Sequence, residues 1–428
     1  MGSGNLETAF SIDTSSIKFG AGVTNELGIE CKRLGANRVM VLTDPNMNGN
    51  EAVVTGIDSL RSEDIDAVLF NSVSVEPTDV SFKEAIEFAS DGEFDGFVAI
   101  GGGSSIDTAK VANLYTTFPA DFLTYVNAPI GKGVPVPGKL RPLVAVPTTT
   151  GTGSETTGVA IFDFIAMGTK TGIAHRFLRP DVGIVDPDNT RTLPAMVVAS
   201  SGFDVLSHGL ESYTALPFSE REAPDSPLLR PAYQGSNPIS DIWSTNAIKM
   251  VARSLIPAAK DPDDYAARSE LLLAATFAGV GFGNAGCHIP HGMSYPVSGM
   301  AKDFQLKGYP DNVPLCPHGI SVILNAPAVF RFTAPTNPER HLRAAELMGA
   351  NRTDASLEDA GELLADSIIT LIRALDIPNG LNGIGFTNDD VDDLVTGALP
   401  QKRVLGLSPR PVGRQELKQL FSDSMQLW

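Results

Sequence analysis

The sequence predicts two domains: an N-terminal α/β domain built on a mostly parallel sheet, and a C-terminal domain that is all helix. Three observations carry this. Short apolar runs in the first half empty into turns of Gly, Ser and Thr, the pattern of buried parallel strands. From about Ala195 onward apolar residues recur at helical spacing, and little reads as strand. A length of 428 residues suits two domains better than one.

The first apolar run, Arg38-Val-Met-Val-Leu-Thr-Asp44, predicts a strand ending in a polar turn. The second, Gly96-Phe-Val-Ala-Ile-Gly101, runs into Gly102, Gly103, Ser104 and Ser105. The third, Leu143-Val-Ala-Val-Pro147, is followed by Thr148-Thr-Thr-Gly-Thr-Gly-Ser154. Open parallel sheets bind ligands at the carboxyl ends of their strands, so the turns after these runs are candidate binding loops. The segment Gly101-Gly-Gly-Ser-Ser-Ile-Asp-Thr-Ala-Lys110 opens a helix, whose free N–H groups and positive dipole end suit a pyrophosphate. It lacks the Gly-x-Gly-x-x-Gly spacing, and a tight strand-to-helix turn without ligand is the alternative. Hydroxyls of the segment 147–155 suit a nicotinamide ribose or phosphate, or else cap a helix start. Asp44 at a strand end would accept from an adenosine ribose 2′-OH and repel a 2′-phosphate, favouring NAD over NADP, unless it is only a turn residue.

The boundary is expected within residues 187–195, with residues 1–190 forming the α/β domain and residues 191–428 the helical one. Residues 223–238, rich in Pro and polar side chains, predict a long ordered loop inside the helical domain. A later helix is predicted to start at Ser356 as N-cap, with Ala360, Leu364, Ile368, Leu371, Ile372 and Leu375 on its apolar face and Pro378 and Gly380 ending it.

With 32 basic against 50 acidic residues the formal charge is −18, and no basic run interrupts it. That argues against nucleic acid or anionic membrane as partners and leaves small molecules. Cys31, Cys287 and Cys316 form no Cys-x-x-Cys pair or disulfide pattern, which suits a reducing compartment. No secretory or Arg-rich transit sequence is expected at the start, and no apolar run reaches the length of a membrane span. The expected location is the cytoplasm, or the mitochondrial matrix for a processed form.

In the helical half, Asp204 and His208 lie four apart, on one face of a helix. His291 opens His-Gly-Met-Ser-Tyr295, and His318 sits in Pro317-His-Gly319. Three imidazoles and a carboxylate suit Fe(II), Zn(II) or another borderline divalent ion, should they converge. His288, three residues before His291, competes as a ligand. Glu211 shares the face of Asp204 and His208, and supports a ligand or caps and pairs locally. Cys287 reads as packing, and His175 and His341 as structural or exposed. Arg230, Lys302 and Lys307 are candidates to hold a substrate carboxylate, although such cations are more often solvated.

Taken together, the segments 101–110, 147–155, 204–211, 291–296, 317–319 and Ser408-Pro-Arg-Pro411 resemble the iron-containing (group III) alcohol dehydrogenase family, in family order over most of the chain. Arg230-Pro-Ala-Tyr-Gln-Gly-Ser-Asn-Pro-Ile-Ser-Asp241, the stretch 291–299, Phe330 with Pro338-Glu-Arg-His341, and Ile130-Gly-Lys-Gly133 resemble its transhydrogenase branch. The resemblance implies a site in the cleft between the two domains, a homodimer or higher homo-oligomer, and Asp204, His208, His291 and His318 as ligands to Fe(II) or Zn(II). His288 then becomes a candidate for supporting a ligand or relaying a proton. The resemblance also places Gly102, Gly103, Ser104 and Asp107 on the pyrophosphate of NAD, and Thr148, Thr149, Thr152 and Lys170 near its riboses and nicotinamide.

Two departures bear on the chemistry. Many family members read His-Gly-x-x-His where this chain has Tyr295, so Tyr295 substitutes in the proton relay or merely packs. His291 and His318 are 27 residues apart, a longer spacing filled by residues 300–316. The implied reaction is hydride transfer from a 4-hydroxybutyrate-like hydroxy acid, through bound NAD, to a 2-oxoglutarate-like oxo acid. The alternative is an NAD-dependent iron alcohol dehydrogenase or 4-hydroxybutyrate dehydrogenase that uses free NAD.

Overall fold

The structure, a computed structural model, describes residues 5–309 and 315–428; residues 310–314, inside the 300–316 segment, lie outside it. The chain forms two compact units, Asp13–Thr192 and Leu193–Trp428, and the second includes the N-terminal segment up to Ile12.

The first unit carries eight strands: β1 Ser16–Phe19, β2 Arg38–Leu42, β3 Asp66–Phe70, β4 Gly96–Gly101, β5 Leu143–Pro147, β6 Val159–Phe164, β7 Thr169–Ala174 and β8 Val182–Val185. Six form one parallel sheet in the order β1-β8-β5-β4-β2-β3. Between them run α1 Leu27–Arg33, α2 Glu51–Ser62, α3 Asp79–Asp91 and α4 Gly103–Thr117. Alternation along the strands splits the core. Val39, Val41, Val98, Ile100, Val144 and Val146 pack with Leu27 and Leu60 on one face. Met40, Leu42, Phe97, Ala99, Leu143 and Ala145 pack with Phe94, Ile106 and Ala109 on the other. Burial on both faces explains why β2, β4 and β5 read as unbroken apolar runs. The sequence did not single out β1 and β3, short strands at the two edges of the sheet, or the antiparallel hairpin β6–β7. Strand order reverses between β2 and β4, so the turns after Leu42 and Gly101 flank the switch point where such sheets bind ligands.

In the second unit the described helices are α5 Ala195–Thr214, α6 Pro238–Lys260, α7 Tyr265–Ala285, α8 Ile289–Gly299, α9 His318–Ile323, α10 Ala326–Thr333 and α11 Pro338–Leu347. They continue with α12 Ala360–Ala374, α13 Val391–Ala398, α14 Lys402–Leu405 and α15 Arg414–Asp423. Helix α5 packs against α6, α7 and α9. Ser356 caps a 3-10 turn over Leu357–Asp359, donating its N–H and Oγ–H to Asp359 Oδ2, and this turn leads into α12, which buries Leu364, Ile368, Leu371 and Ile372. No single helix among the described residues is long and apolar enough to cross a membrane.

The N-terminal segment, which the sequence reading gives to the α/β domain, is stitched to the loop at 223–238. Glu7 pairs with Arg230 at 2.9 Å, and Ser11 and Gln234 exchange bonds of 2.9 Å. The Glu7 N–H donates to the Arg221 carbonyl at 2.8 Å, and Ala223 N–H to that of Asn5 at 2.9 Å. These contacts lie more than two hundred residues apart in sequence, beyond the reach of local patterning.

Candidate active site

Helix α5 aligns Asp204, His208 and Glu211 at positions i, i+4 and i+7, all buried on one face. Helix α8 begins after a turn at Gly286, whose φ of 96° is glycine territory, and its axis lies 107° from that of α7. That turn brings His291, in the first turn of α8, against α5. His318 opens α9, which lies directly on α5.

Three imidazoles converge on one carboxylate oxygen. Asp204 Oδ1 stands 3.5 Å from His291 Nε2, 3.6 Å from His208 Nε2 and 3.7 Å from His318 Nε2. Two ligand atoms about 2.1 Å from one tetrahedral ion stand roughly 3.4 Å apart, so the spacing suits a shared cation. Asp204 Oδ1, His208 Nδ1 and His291 Nε2 are buried and have no hydrogen-bond partner. A buried carboxylate oxygen left bare costs free energy unless something positive meets it. Burial pushes His208 down to about 3, so it is a neutral imidazole, the form a metal requires. Burial raises the Asp204 carboxyl, yet the surrounding histidines outweigh it and hold Asp204 ionised. Among the described residues two triads of possible ligands occur, Asp204/His291/His318 and His208/Cys287/His291. Cys287, read from the sequence as packing, has its sulfur within reach of two of these imidazoles, and burial pushes its thiol up to about 11.

Glu211 is fully buried and stands behind the cluster. Its Oε1 lies 2.6 Å from His291 Nδ1, and its Oε2 accepts the His288 main-chain N–H at 2.7 Å. A carboxylate on Nδ1 fixes the proton there and leaves the Nε2 lone pair facing Asp204. His208 stacks on Phe282, ring centroids 3.8 Å apart, which sets its plane. His288 points elsewhere: its Nε2 meets Thr214 Oγ1 at 3.0 Å, its ring meets Phe330, and burial lowers it to about 4. It joins neither triad. His341, held between Thr333 and Asn337, and His175, capping the Phe177 N–H, are structural. Tyr295, one turn after His291, is buried with its hydroxyl 3.4 Å from Arg403 Nη2.

The expected carboxylate cations have other partners or face solvent. Arg230 is spent on Glu7, Lys302 pairs with Asp390 at 2.6 Å, and Lys307 is exposed. Arg403 carries no motif, and only its folded position beside Tyr295 brings it forward.

In the α/β unit, Gly102 caps α4 and Gly103 begins it. A side chain at Gly103 would come within 2.5 Å of Thr152 Cγ2, and one at Gly102 within 3.2 Å of Thr149 Cγ2. The glycines thus let the two loops meet over the free N–H groups of the helix. Thr148 anchors its loop by donating its N–H to the Gly101 carbonyl at 3.0 Å. Ser104 Oγ takes the Glu76 N–H at 3.3 Å. Asp44 lies two residues after β2, caps the next turn through Asn46, and stands about 4.0 Å from where a Gly101 Cβ would be.

Two residues expected at the cofactor also bond within the fold. Asp107 accepts from Ser154 Oγ at 2.6 Å, Lys110 at 3.2 Å and the Ile161 N–H at 2.9 Å. Lys170 is buried in the β6–β7 hairpin, paired with Glu76 at 2.8 Å and Asp163 at 3.1 Å. Lys110, fully buried, also bonds Ser154 at 2.5 Å and the Val159 carbonyl at 2.8 Å, which ties α4 to the second loop and the hairpin.

Two family models match the chain. The iron-containing alcohol dehydrogenase model covers residues 14–187, and the C-terminal model of the Fe-containing alcohol dehydrogenase family covers residues 232–425. The chain is 54% identical to the mitochondrial hydroxyacid-oxoacid transhydrogenase of Bos taurus, over 98% of this chain and 91% of that protein. It is 52% identical to the Homo sapiens protein of the same name, over 98% of this chain and 90% of that one. Among solved structures, a 1,3-propanediol oxidoreductase superposes with a TM-score of 0.85 at 27% identity, over 97% of this chain and 100% of that one. An alcohol dehydrogenase from Oenococcus oeni gives 0.84 at 26% identity, over 97% of this chain and 100% of that one.

Proposed function

Since the chain belongs to the iron-containing alcohol dehydrogenase family, we propose that this oxidoreductase moves hydride from a hydroxy acid, through bound NAD, to an oxo acid. The observation that carries the metal assignment is the bare, buried Asp204 Oδ1 among three imidazoles. Support for the substrate pair comes from the identity to the transhydrogenases of Bos taurus and Homo sapiens. Small hydroxy and oxo acids of the 4-hydroxybutyrate and 2-oxoglutarate type are the proposed substrates.

Asp204, His208, His291 and His318 would hold Fe(II), and the same set accepts Zn(II). Gly102, Gly103 and Ser104 at the start of α4 would take the pyrophosphate of NAD, Thr148, Thr149 and Thr152 its nicotinamide half, and Asp44 its adenosine ribose. When bound, the ion supplies a Lewis acid for the substrate oxygen and NAD supplies the hydride carrier.

The chain's own groups do the rest. Glu211 keeps the His291 proton on Nδ1. Phe282 and the buried cluster exclude water, which strengthens each charge interaction inside. Tyr295, one helical turn from His291, borders the path by which the hydroxyl proton would leave, and His288 is turned toward Thr214. The mitochondrial location in the relatives' names favours the matrix over the cytoplasm for this chain. A homodimer belongs to the same proposal and rests on the family resemblance.

A paired-substrate assay on metal-defined protein tests the reading. With 4-hydroxybutyrate and 2-oxoglutarate and no added NAD, the semialdehyde and 2-hydroxyglutarate should form in equal amounts. Turnover that needs free NAD and ignores the oxo acid makes the protein an ordinary dehydrogenase.

A further inference from the structure

Arg403 is a cation without an anion. It lies on the short helix α14, its Nη1 is buried and bonded to nothing, and its surroundings are two tyrosines. The guanidinium carbon sits 4.7 Å above the Tyr233 ring, and Nη2 reaches the Tyr295 hydroxyl at 3.4 Å. Among the described residues no carboxylate forms an ion pair with it, whereas Arg230, Arg253 and Arg340 each have one. A guanidinium held in a low-dielectric pocket with an idle N–H is costly to the fold unless an anion arrives.

The pocket adjoins the proposed metal cluster. Tyr295 lies four residues after His291 on α8, which puts their β-carbons roughly 5–6 Å apart on one face. Helix α14 docks on α8 beside His291: a side chain at Gly292 would meet Leu405 Cδ2 at 2.6 Å, so only glycine admits this approach. Tyr233 packs edge-on to Phe282, which stacks on His208. Arg403 therefore connects to His208 through Tyr233 and Phe282, and its other tyrosine lies on the helix that carries His291. A four-carbon acid, with C–C bonds of about 1.5 Å, has the length to place its hydroxyl at the cluster and its carboxylate one helical turn away.

We infer that Arg403, flanked by the hydroxyls of Tyr233 and Tyr295, forms the subsite that binds the carboxylate of the hydroxy-acid and oxo-acid substrates. This rests on the hydroxy-acid reading above and names the residue that makes acids preferred over plain alcohols. A planar carboxylate matches the guanidinium fork, and the phenols complete its hydrogen bonding without adding a competing charge.

The test compares 4-hydroxybutyrate with its uncharged amide, 4-hydroxybutanamide, on metal-loaded protein. In Arg403→Gln the ratio of kcat/KM values, acid over amide, should fall about 100-fold or more, mostly through KM for the acid. In Arg403→Lys, which keeps the charge but loses the fork, it should fall about 10-fold; this variant decides the matter if the Gln variant does not fold. Succinate, a carboxylate without a hydroxyl, should raise the melting temperature of the wild type and of Arg403→Lys less or not at all. Equal losses for acid and amide in a folded variant would overturn the anchor while leaving the hydroxy-acid reading intact. A wild type that turns over the amide but not the acid would overturn both.

Discussion

Glu211 Oε1 stands 2.6 Å from Nδ1 of His291, while the other oxygen of the same carboxylate accepts the main-chain N–H of His288. One fully buried acid thus sets both the tautomer of a proposed ligand and the start of the helix that carries it. Glu211→Gln keeps the volume but removes the charge that holds the Nδ1 proton. Metal affinity should drop about 10- to 100-fold, read by chelator competition on otherwise folded protein. Unchanged affinity would reduce Glu211 to a helix cap.

Gly319 follows His318 because α9 lies on the backbone of α5. A β-carbon there would fall 1.9 Å from the Ser200 carbonyl oxygen and 3.2 Å from Asp204 Cβ. Gly319→Ala should push His318 away from Asp204, lower stability by at least about 2 kcal/mol, and yield metal-poor protein. Denaturant melts and metal analysis check both, and wild-type values for both would show that α9 can slide without cost.

Lys110 is buried among Asp107, Ser154, Thr157 and the Val159 carbonyl. Lys110→Met would leave Asp107 facing the hairpin unpaired. The expected cost is about 3–5 kcal/mol, the range for breaking a buried pair by removing one partner. Weaker NAD binding should accompany it, because the Ser154 hydroxyl then keeps only its bond to Asp107. A loss under about 1 kcal/mol in urea unfolding contradicts this account.

Glu7 is held at about 2 by its hydrogen bonds to Arg230, against the opposing pull of burial. A free glutamate titrates near 4.3, so the pair's contribution is complete above that pH and disappears as pH falls through about 2. Because the guanidinium is open to solvent, screening keeps the pair's contribution at neutral pH small. Glu7→Gln should therefore lower the melting temperature at pH 7, and the gap to wild type should close between pH 5 and pH 2. A gap that persists at the acid end would assign the loss to packing.

The four cluster residues were legible from sequence because His-Gly dipeptides and an Asp-x-x-x-His spacing survive as local patterns. The strands β2, β4 and β5 were legible because burial on both faces leaves unbroken apolar runs. The fold contacts of Asp107 and Lys170 were not legible, for a physical reason: a polar residue in a ligand loop looks the same whether or not it also bonds the loop, and Ser154, Ile161, Glu76 and Asp163 are partners only the fold supplies. Cys287 shows the reverse: a lone cysteine carries no local signal, yet the turn at Gly286 sets its sulfur among His208 and His291.

By itself the sequence determined the two kinds of domain, the glycine-rich loops at strand ends and the identity of the proposed ligand set, since each is written in short-range spacing. Only the tertiary structure decided that Asp204 Oδ1 is the common point of three imidazoles, that Glu211 stands behind His291, that residues up to Ile12 belong with the helical unit, and that Arg403 lies beside Tyr295. Those relations join residues tens to hundreds of positions apart. They depend on helices meeting at Gly292 and Gly319, and no local pattern encodes which two surfaces will touch.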